Sequence, residues 1–312
     1  MNEKKIAIVV PTLNAGKKWD AWIASVKNQL YQINKVLVID SDSTDGTREK
    51  AIEAGFDVIK INRTEFGHGI TRQKCVEELN DYSILIFLTQ DAILCNENAV
   101  EELIKCFDDP EVAAAYGRQL PHKNATIIEA HARIFNYPDD SYVRKLEDKK
   151  ISGIKTVFIS NSFAAYRRKY LQEVGGFPKD TILGEDTYVV AKMLLAGKKV
   201  AYCSQACVYH SHNYTMFEEF KRYFDTGAFH SRENWILNEY GSAEGSGGEF
   251  VKSEFRYLLH SNPLLIPGAI IRTILRYTGY LLGRKECYLP AGLKRKLSMH
   301  PYYWRTGKYN DV

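Results

Sequence analysis

The chain has 312 residues, 45% hydrophobic and 26% charged, with a formal net charge of +4. This is ordinary globular composition, with no apolar run near the roughly 18 to 20 residues of a transmembrane helix. The six cysteines show no small-secreted-domain framework, and "MNEKKIAIVV" lacks the h-region and cleavage site of a signal peptide, so the chain reads as cytosolic with free thiols.

In chain order, strand and helix signals alternate. "IAIVV" at 6–10 is an apolar run closed by Pro11. Residues 17–30 place Trp19, Trp22, Ile23, Val26 and Leu30 at helical spacing. "KVLVID" is a second strand ending at Asp40, and Thr44, Asp45 and Gly46 lead into a helix through about Ala54, with Gly55 as its C-cap. "DVIKI" is a third strand, followed by a helix over 70–79. "SILIFL" is a fourth, where Gln90 and Asp91 arrive as the strand should end, and an unpaired buried carboxylate there is costly. A helix over 96–107 stops near Pro110, and "VAAAYG" is a fifth strand.

This alternation predicts a mostly parallel sheet with helices on both faces. Such sheets bind ligands at the carboxyl ends of their strands. Those ends carry Pro11-Thr12-Leu13-Asn14, Asp40-Ser41-Asp42, Asn62-Arg63 and Gln90-Asp91, so polar groups cluster on one rim.

After Leu120 the pattern loosens. Residues 127–135 read as helix, 139–150 as charged and exposed, and "TVFISNSFAAYRR" as two short strands around Asn161 and a short helix. "GEDTYVVAKMLLAGKK" starts a helix with Glu185 and Asp186 in its first turn. The extended "VAYCSQACVYHSH" holds Cys203, Cys207, His210 and His212, all zinc-ligand types, but four ligands on one extended segment converge poorly on one ion.

"GSAEGSGGE" at 241–249 reads as a flexible joint, followed by a helix near 250–260. Residues 250–312 hold 11 Lys and Arg against 3 Asp and Glu, whereas the rest hold 31 against 35, so the tail suits an anionic partner. In 264–282 the apolar residues Leu264, Leu265, Ile270, Ile271, Ile274, Leu275, Leu281 and Leu282 are interrupted by Arg272 and Arg276. That is a basic amphipathic helix, fit to lie at a membrane interface or to pack on the domain or a second subunit. Tyr277, Tyr280, Tyr302, Tyr303 and Trp304 suit headgroup depth.

"VVPTLNAG", "VLVIDSDSTDGT", "GHGITRQK", "FLTQDA" and "LGEDTYVVAKMLLAGKKVAYCSQACVYH", in this order, resemble the family-2 inverting glycosyltransferases over about residues 6–230. "TQDA" and the tail "GRKECYLPAGLKRKLSMHPYYW" look like the bacterial and archaeal rhamnosyltransferase branch. The resemblance implies an α/β fold of GT-A type: a Rossmann-like, mostly parallel central sheet flanked by helices, with a C-terminal helical extension. It implies a catalytic domain over 1–240, with nucleotide-sugar binding in 1–120 and the acceptor and catalytic part in 121–240, and the basic extension over 241–312. The implied reaction moves L-rhamnose from dTDP-L-rhamnose to a glycan or polyprenol-linked glycan by metal-assisted direct displacement. The alternatives are the same fold with a UDP-hexose donor, or a non-catalytic nucleotide- or nucleic-acid-binding protein.

By the same resemblance Asp91 falls on the metal-binding carboxylate of the family's DXD motif, here Thr89-Gln90-Asp91 with the first aspartate absent. His210 matches the second protein ligand of a Mg²⁺ or Mn²⁺ ion. Pro11, Thr12 and Asn14 match base and ribose contacts, and Asp40 an acceptor for the pyrimidine N3–H. Asp42, where the family often has glycine, and Gln90, beside the metal position, count with Asp91 among the donor-binding residues. Gly67, Gly69 and Arg72 match a stretch close to the nucleotide, with Arg72 able to meet phosphate. Asp186 matches the catalytic base, which a helix N-terminus should hold ionised, and Glu185 its neighbour, orienting acceptor.

A dinucleotide oxidoreductase would want G-x-G-x-x-G where this chain has "PTLNAGKKW", and a nucleotidyltransferase a basic glycine-rich loop. The expected partners are a nucleotide-sugar donor and a glycan acceptor, and no nucleic acid; a membrane surface and a homodimer stay open. The expected location is cytoplasmic, peripheral on the inner membrane face if the tail meets lipid.

Overall fold

Alternate residues of β1 (Ile6–Thr12) enter two separate cores, Ala7 and Val9 one, and Ile6, Ile8 and Val10 the other. A strand apolar on both sides belongs to a sheet covered on both faces. This computed structural model describes residues 4–242 and 244–305. The last seven residues, with Lys308 and Asp311 of the tail's charge count, lie outside the described residues.

β2 (Lys35–Asp40), β3 (Asp57–Lys60) and β4 (Ile84–Leu88) run parallel in the order β3-β2-β1-β4. The helices α1 (Trp19–Lys27), α2 (Thr47–Glu53) and α3 (His68–Glu78) connect them. Four strand ends therefore share one rim, as the alternation predicts. The chain continues through β5 (Ile93–Leu94), α4 (Ala99–Lys105), β6 (Val112–Leu120), α5 (Ile127–Asn136), β7 (Tyr142–Arg144) and α6 (Lys149–Ser152). Then come β8 (Phe163–Arg167), α7 (Arg168–Glu173), α8 (Glu185–Leu195) and β9 (Lys199–Tyr209).

β8 inserts antiparallel between β4 and β6, and β9 lies parallel to β6. Two local expectations are corrected here. The "TVFIS" stretch ends a 3₁₀ turn over Gly153–Val157 instead of forming a strand, and part of the charged 139–150 segment pairs with β9 as β7. Along β9, Cys203 lies opposite Gly117 but Cys207 opposite Arg118, so three residues bulge out of the ladder. A Cβ at Gly117 would overlap the carbonyl of Ala206 in that bulge. The cysteines of this strand separate, Cys203 against Cys106 and Cys207 against Cys95, and all six thiols are free.

The chain ends in α9 (Met216–Arg232), α10 (Asn234–Tyr240), α11 (Glu244–Ser261), α12 (Ile266–Arg284) and α13 (Ala291–Leu297). The expected joint at 241–249 is helical from Glu244, with Ala243 outside the described residues. Gly245, Gly247 and Gly248 face open space, while Phe250 packs on His131 of α5. Tertiary packing overrides glycine's low helix propensity here.

α12 crosses α9 backbone to backbone. A Cβ at Gly227, Gly279 or Gly283 would overlap the carbonyl of Tyr280, Phe220 or Phe224, respectively. Gly283→Val should cost about 2–3 kcal/mol through overpacking and lower the melting temperature. Gly292→Val, in open space, should not. Equal melting of both variants would mean that the crossing can open without cost.

Arg272 and Arg276, on the helix left open between a membrane interface and packing on the domain, are used inside the protein. Buried Arg276 clamps Glu219 at 3.0 and 3.1 Å and reaches Glu254 at 3.5 Å, and Arg272 pairs with Glu219 at 2.9 Å. Trp304 is buried against Phe224, Tyr303 accepts from Arg232, and Tyr280 meets His230, so these rings are also taken from the interface. Their acid and ring partners lie far away in sequence. Among the described residues no helix is long and apolar enough to cross a membrane.

Candidate active site

The rim is tied together by its own polar groups. Buried Asp40 accepts from the Thr12 hydroxyl at 3.1 Å and from the Ser43 N–H at 2.9 Å, and has no exposed surface. It joins the loop after β1 to the loop after β2. Asn14, at φ 47°, continues that seam by accepting from the Thr44 N–H at 2.8 Å and donating its own N–H to Ser43. Pro11 is half-buried at the end of the same strand. Asp42, at φ 64°, occupies a left-handed position that explains the family's glycine. It pairs with Lys60 at 2.7 Å on the surface.

Gln90 explains the missing first aspartate. Its Oε1 accepts from the Leu13 N–H at 2.8 Å and its Nε2 donates to the Leu13 carbonyl at 3.1 Å. A carboxylate could only accept, so it would leave that carbonyl facing it unpaired.

Gly69 and Arg72 have partners inside the protein. A Cβ on Gly69 would overlap the Pro178 carbonyl, so this glycine serves packing under the site. Gly67, extended at φ −152°, is the N-cap of α3. Arg72 is buried and donates to the His68 carbonyl and to Glu185 Oε1, each at 3.0 Å. It neutralises a catalytic-position acid.

The two acids open α8, and Asn161 holds both. Its side-chain amide donates to Glu185 at 2.9 Å, its backbone N–H donates to Asp186 at 3.2 Å, and its Oδ1 accepts from Tyr166. Sequence reasoning passed over Asn161; its only signal was a polar residue breaking an apolar stretch. Burial works against charge on Glu185, but Arg72 and His68 hold its carboxyl below the ordinary range. Asp186 behaves oppositely. Burial and then the charge of Glu185 push it up to about 7, against the opposing N–H groups of Thr187 and Asn161. The helix N-terminus alone does not keep it ionised, as the sequence reading expects. Asp186 keeps a partly exposed surface.

Asp91 finds its partners in two histidines. His210 Nε2 lies 3.4 Å and His212 Nε2 3.6 Å from its oxygens, and the two ring nitrogens are 3.0 Å apart. One ligand atom from each lies within 4.8 Å of the others. His210 was anticipated; His212 was weighed only with the cysteines. The H-x-H spacing just past a strand end was the signal that it shares His210's side. Gln119 Oε1 lies 2.8 Å from His210 Nδ1 and also accepts from Arg133. Because an amide oxygen only accepts, His210 Nδ1 carries a proton toward Gln119, and Nε2 is the ring nitrogen turned to Asp91. Burial, then the neighbouring His210, lowers His212 to about 4, leaving it a neutral imidazole near pH 7. Burial opposes charge on Asp91, but His210 and His212 hold it far below the usual carboxylate range. One carboxylate and two imidazoles on a shared centre fit a divalent cation.

A cleft of about 300 Å³ opens beside this cluster, lined by His212 with Lys18, His122, Asn124, Tyr214 and Glu218. Ser160, in the turn before Asn161, hydrogen-bonds Gln119 at 2.9 Å, and Leu88 pairs with Phe163. The acids and the Asp91 cluster thus stand on one edge of the sheet.

Residues 7–175 match the family described as Glycosyl transferase family 2. The chain is 46% identical over 305 residues to the O-antigen chain rhamnosyltransferase WbaN of Salmonella anatum, covering 97% of each. It is 47% identical over 308 residues to the O-antigen chain rhamnosyltransferase RfbN of Salmonella typhimurium, covering 98% of each. In fold it is similar to the mannosyltransferase PcManGT of Pyrobaculum calidifontis, solved with GDP-Man and Mn²⁺. There the TM-score is 0.63 at 15% identity, over 90% of this chain and 87% of that one. S. aureus TarS 1-349 with UDP-GlcNAc gives 0.56 at 18% identity, over 94% and 86%. These two likenesses concern fold alone. The family match and the relatives aligned end to end carry the assignment: the chain belongs to glycosyl transferase family 2 and is a glycosyltransferase of GT-A fold.

Proposed function

We propose that this enzyme transfers L-rhamnose from dTDP-L-rhamnose to a growing O-antigen glycan carried on a lipid, with inversion at the sugar's anomeric carbon. Support comes from the two rhamnosyltransferases that match along the whole chain. The observation that carries the chemistry is Asp186, raised to about 7 on the same sheet edge as a ligand cluster.

In this reading an acceptor hydroxyl loses its proton to Asp186 as its oxygen attacks C1 from the face opposite the nucleoside diphosphate. The C1–O bond to the diphosphate breaks as the new glycosidic bond forms, so the anomeric configuration inverts. A base near neutrality suits proton transfer at physiological pH. Glu185 stays charged against Arg72, and Asn161 keeps Asp186 aimed, so both act by positioning. Asp91, His210 and His212 would hold a divalent cation, which supplies charge neutralisation at the leaving diphosphate. Two imidazoles beside one carboxylate favour Mn²⁺ over Mg²⁺, a strict oxygen binder. Pro11, Thr12 and Asn14 shape the nucleotide side. We read residues 1–240 as the catalytic part and 241–312 as its extension, acting at the membrane face where the acceptor lipid lies.

The test is a donor panel. Nucleoside diphosphate release from dTDP-rhamnose should exceed release from UDP-glucose or UDP-galactose by tenfold or more. Faster turnover of either UDP-hexose would replace the rhamnose reading with the hexose one.

A further inference from the structure

We infer that α11 and α12 together form a surface that seats on an anionic lipid bilayer beside the acceptor cleft; this rests on the proposed lipid-linked acceptor and specifies how the enzyme meets it. Val251, Phe255 and Leu259 recur every fourth residue along α11 and are exposed. On α12, Ile270, Ile274 and Leu281 are exposed on the side away from the glycine crossing, with Ile274 at 58%. An apolar groove of about 160 Å³ joins the two helices, lined by Phe255, Ile270 and Ile274 among others. Isolated apolar residues on a surface need no explanation, but a contiguous two-helix face does.

The charges select the occupant. Between residues 250 and 305 the acids are Glu254 and Glu286. Both are buried and turned inward, Glu254 to Arg276 and Glu286 to Arg232 and Lys294. Lys252, Arg256, Lys285, Arg295 and Lys296 are exposed. Glu249, in the first half of α11, is exposed but paired with Lys155 at 2.7 Å, so from residue 250 to 305 the outward charge is basic. Lys252 and Arg256 each follow an exposed apolar residue of α11 by one position, which sets them along the border of its stripe. Apolar residues flanked by cations match an anionic bilayer surface. A second copy of the same face would bring like charges together, because a two-fold interface pairs a patch with itself.

The same helices fix the orientation. Arg272 donates to the Tyr214 carbonyl at 3.0 Å, and Tyr214 lines the cleft next to His212. The close α9–α12 crossing holds the apolar face rigidly to that wall. A bilayer under α11 and α12 would lie next to the opening through which a lipid-linked glycan must enter.

The experiment is co-sedimentation of the full chain with vesicles of phosphatidylglycerol or of phosphatidylcholine. The full chain should pellet with phosphatidylglycerol at low salt, and a smaller, salt-resistant fraction should remain at 1 M, where the screening length falls to about 3 Å. Phe255→Asp with Ile274→Asp should weaken binding tenfold or more at either salt. Lys252→Glu with Arg256→Glu should weaken it at low salt only. All four side chains are exposed, so unchanged melting temperatures are expected. The inference is overturned if the full chain stays in the supernatant with phosphatidylglycerol at low salt. Unchanged binding by the Phe255→Asp/Ile274→Asp chain also overturns it, as does a dimer in light scattering that this variant converts to monomer. Turnover of dTDP-rhamnose in solution separates the two readings: wild-type protein that pellets but does not consume that donor keeps the surface and removes the rhamnose proposal. A wild-type chain that consumes the donor but never pellets does the reverse.

Discussion

Asp186→Asn should slow glycosyl transfer by roughly 10²-fold or more, the scale of a lost general base, while donor affinity survives. Asparagine keeps the shape and can still accept one N–H from Asn161 or Thr187, but it cannot take a proton from the acceptor. The wild-type rate has a matching signature. The Asp186 carboxyl is raised to about 7. Only its ionised form is a base, so kcat should be full above that value and fall as pH drops through it. The asparagine variant should show no such limb. Near-normal turnover by the variant, or a wild-type profile flat across neutrality, would remove Asp186 from the role.

Removing the ligand cluster should have an effect of comparable size. Asp91→Ala and His212→Ala should each lower donor turnover by roughly 10²–10³, the rate equivalent of several kcal/mol of charge neutralisation at the leaving group. The dependence on added Mn²⁺ should weaken in the same variants. Gln119→Ala is a gentler probe, because Gln119 fixes the ring of His210 and is not itself among the ligands. It should weaken Mn²⁺ binding by roughly 10–100-fold, the usual result of losing such support. Full activity after exhaustive chelation would end the cation reading for all of these residues.

The first half of the fold was legible because buried parallel strands leave continuous apolar runs, and their ends line up wherever the strands do. That placed Asp91, Asp40 and the loop after β1 on one rim correctly. What each rim residue touches was not legible. Asp40 and Gln90 carry the residue types of ligand contacts, yet here they bind Thr12, Ser43 and Leu13. Arg72 and Glu185 are 113 positions apart and meet only because α3 packs beneath the start of α8. Arg276 finds Glu219 across 57 positions, so its charge could not be assigned to either solvent or interior from α12 alone. Local pattern reports which face a residue takes. It does not report who stands opposite when the partner arrives from a distant element.

The bulge in β9 bears on how this family can vary. Side chains on a strand alternate sides, and the bulge adds three residues, an odd number, between Cys203 and Cys207. Every later side chain is therefore switched to the opposite side from the one an unbroken strand would give it. His210 and His212 share a parity, so they reach Asp91 together or miss it together. Substitutions within the bulge leave that phase alone. Gaining one residue there would put Tyr209 and Ser211 in the places of the two imidazoles, and losing one would put Ser211 and Asn213 there, without touching any residue of the site. The reaction depends on the length of a segment that takes no part in it, and drift in that segment should be tolerated in spelling but not in count.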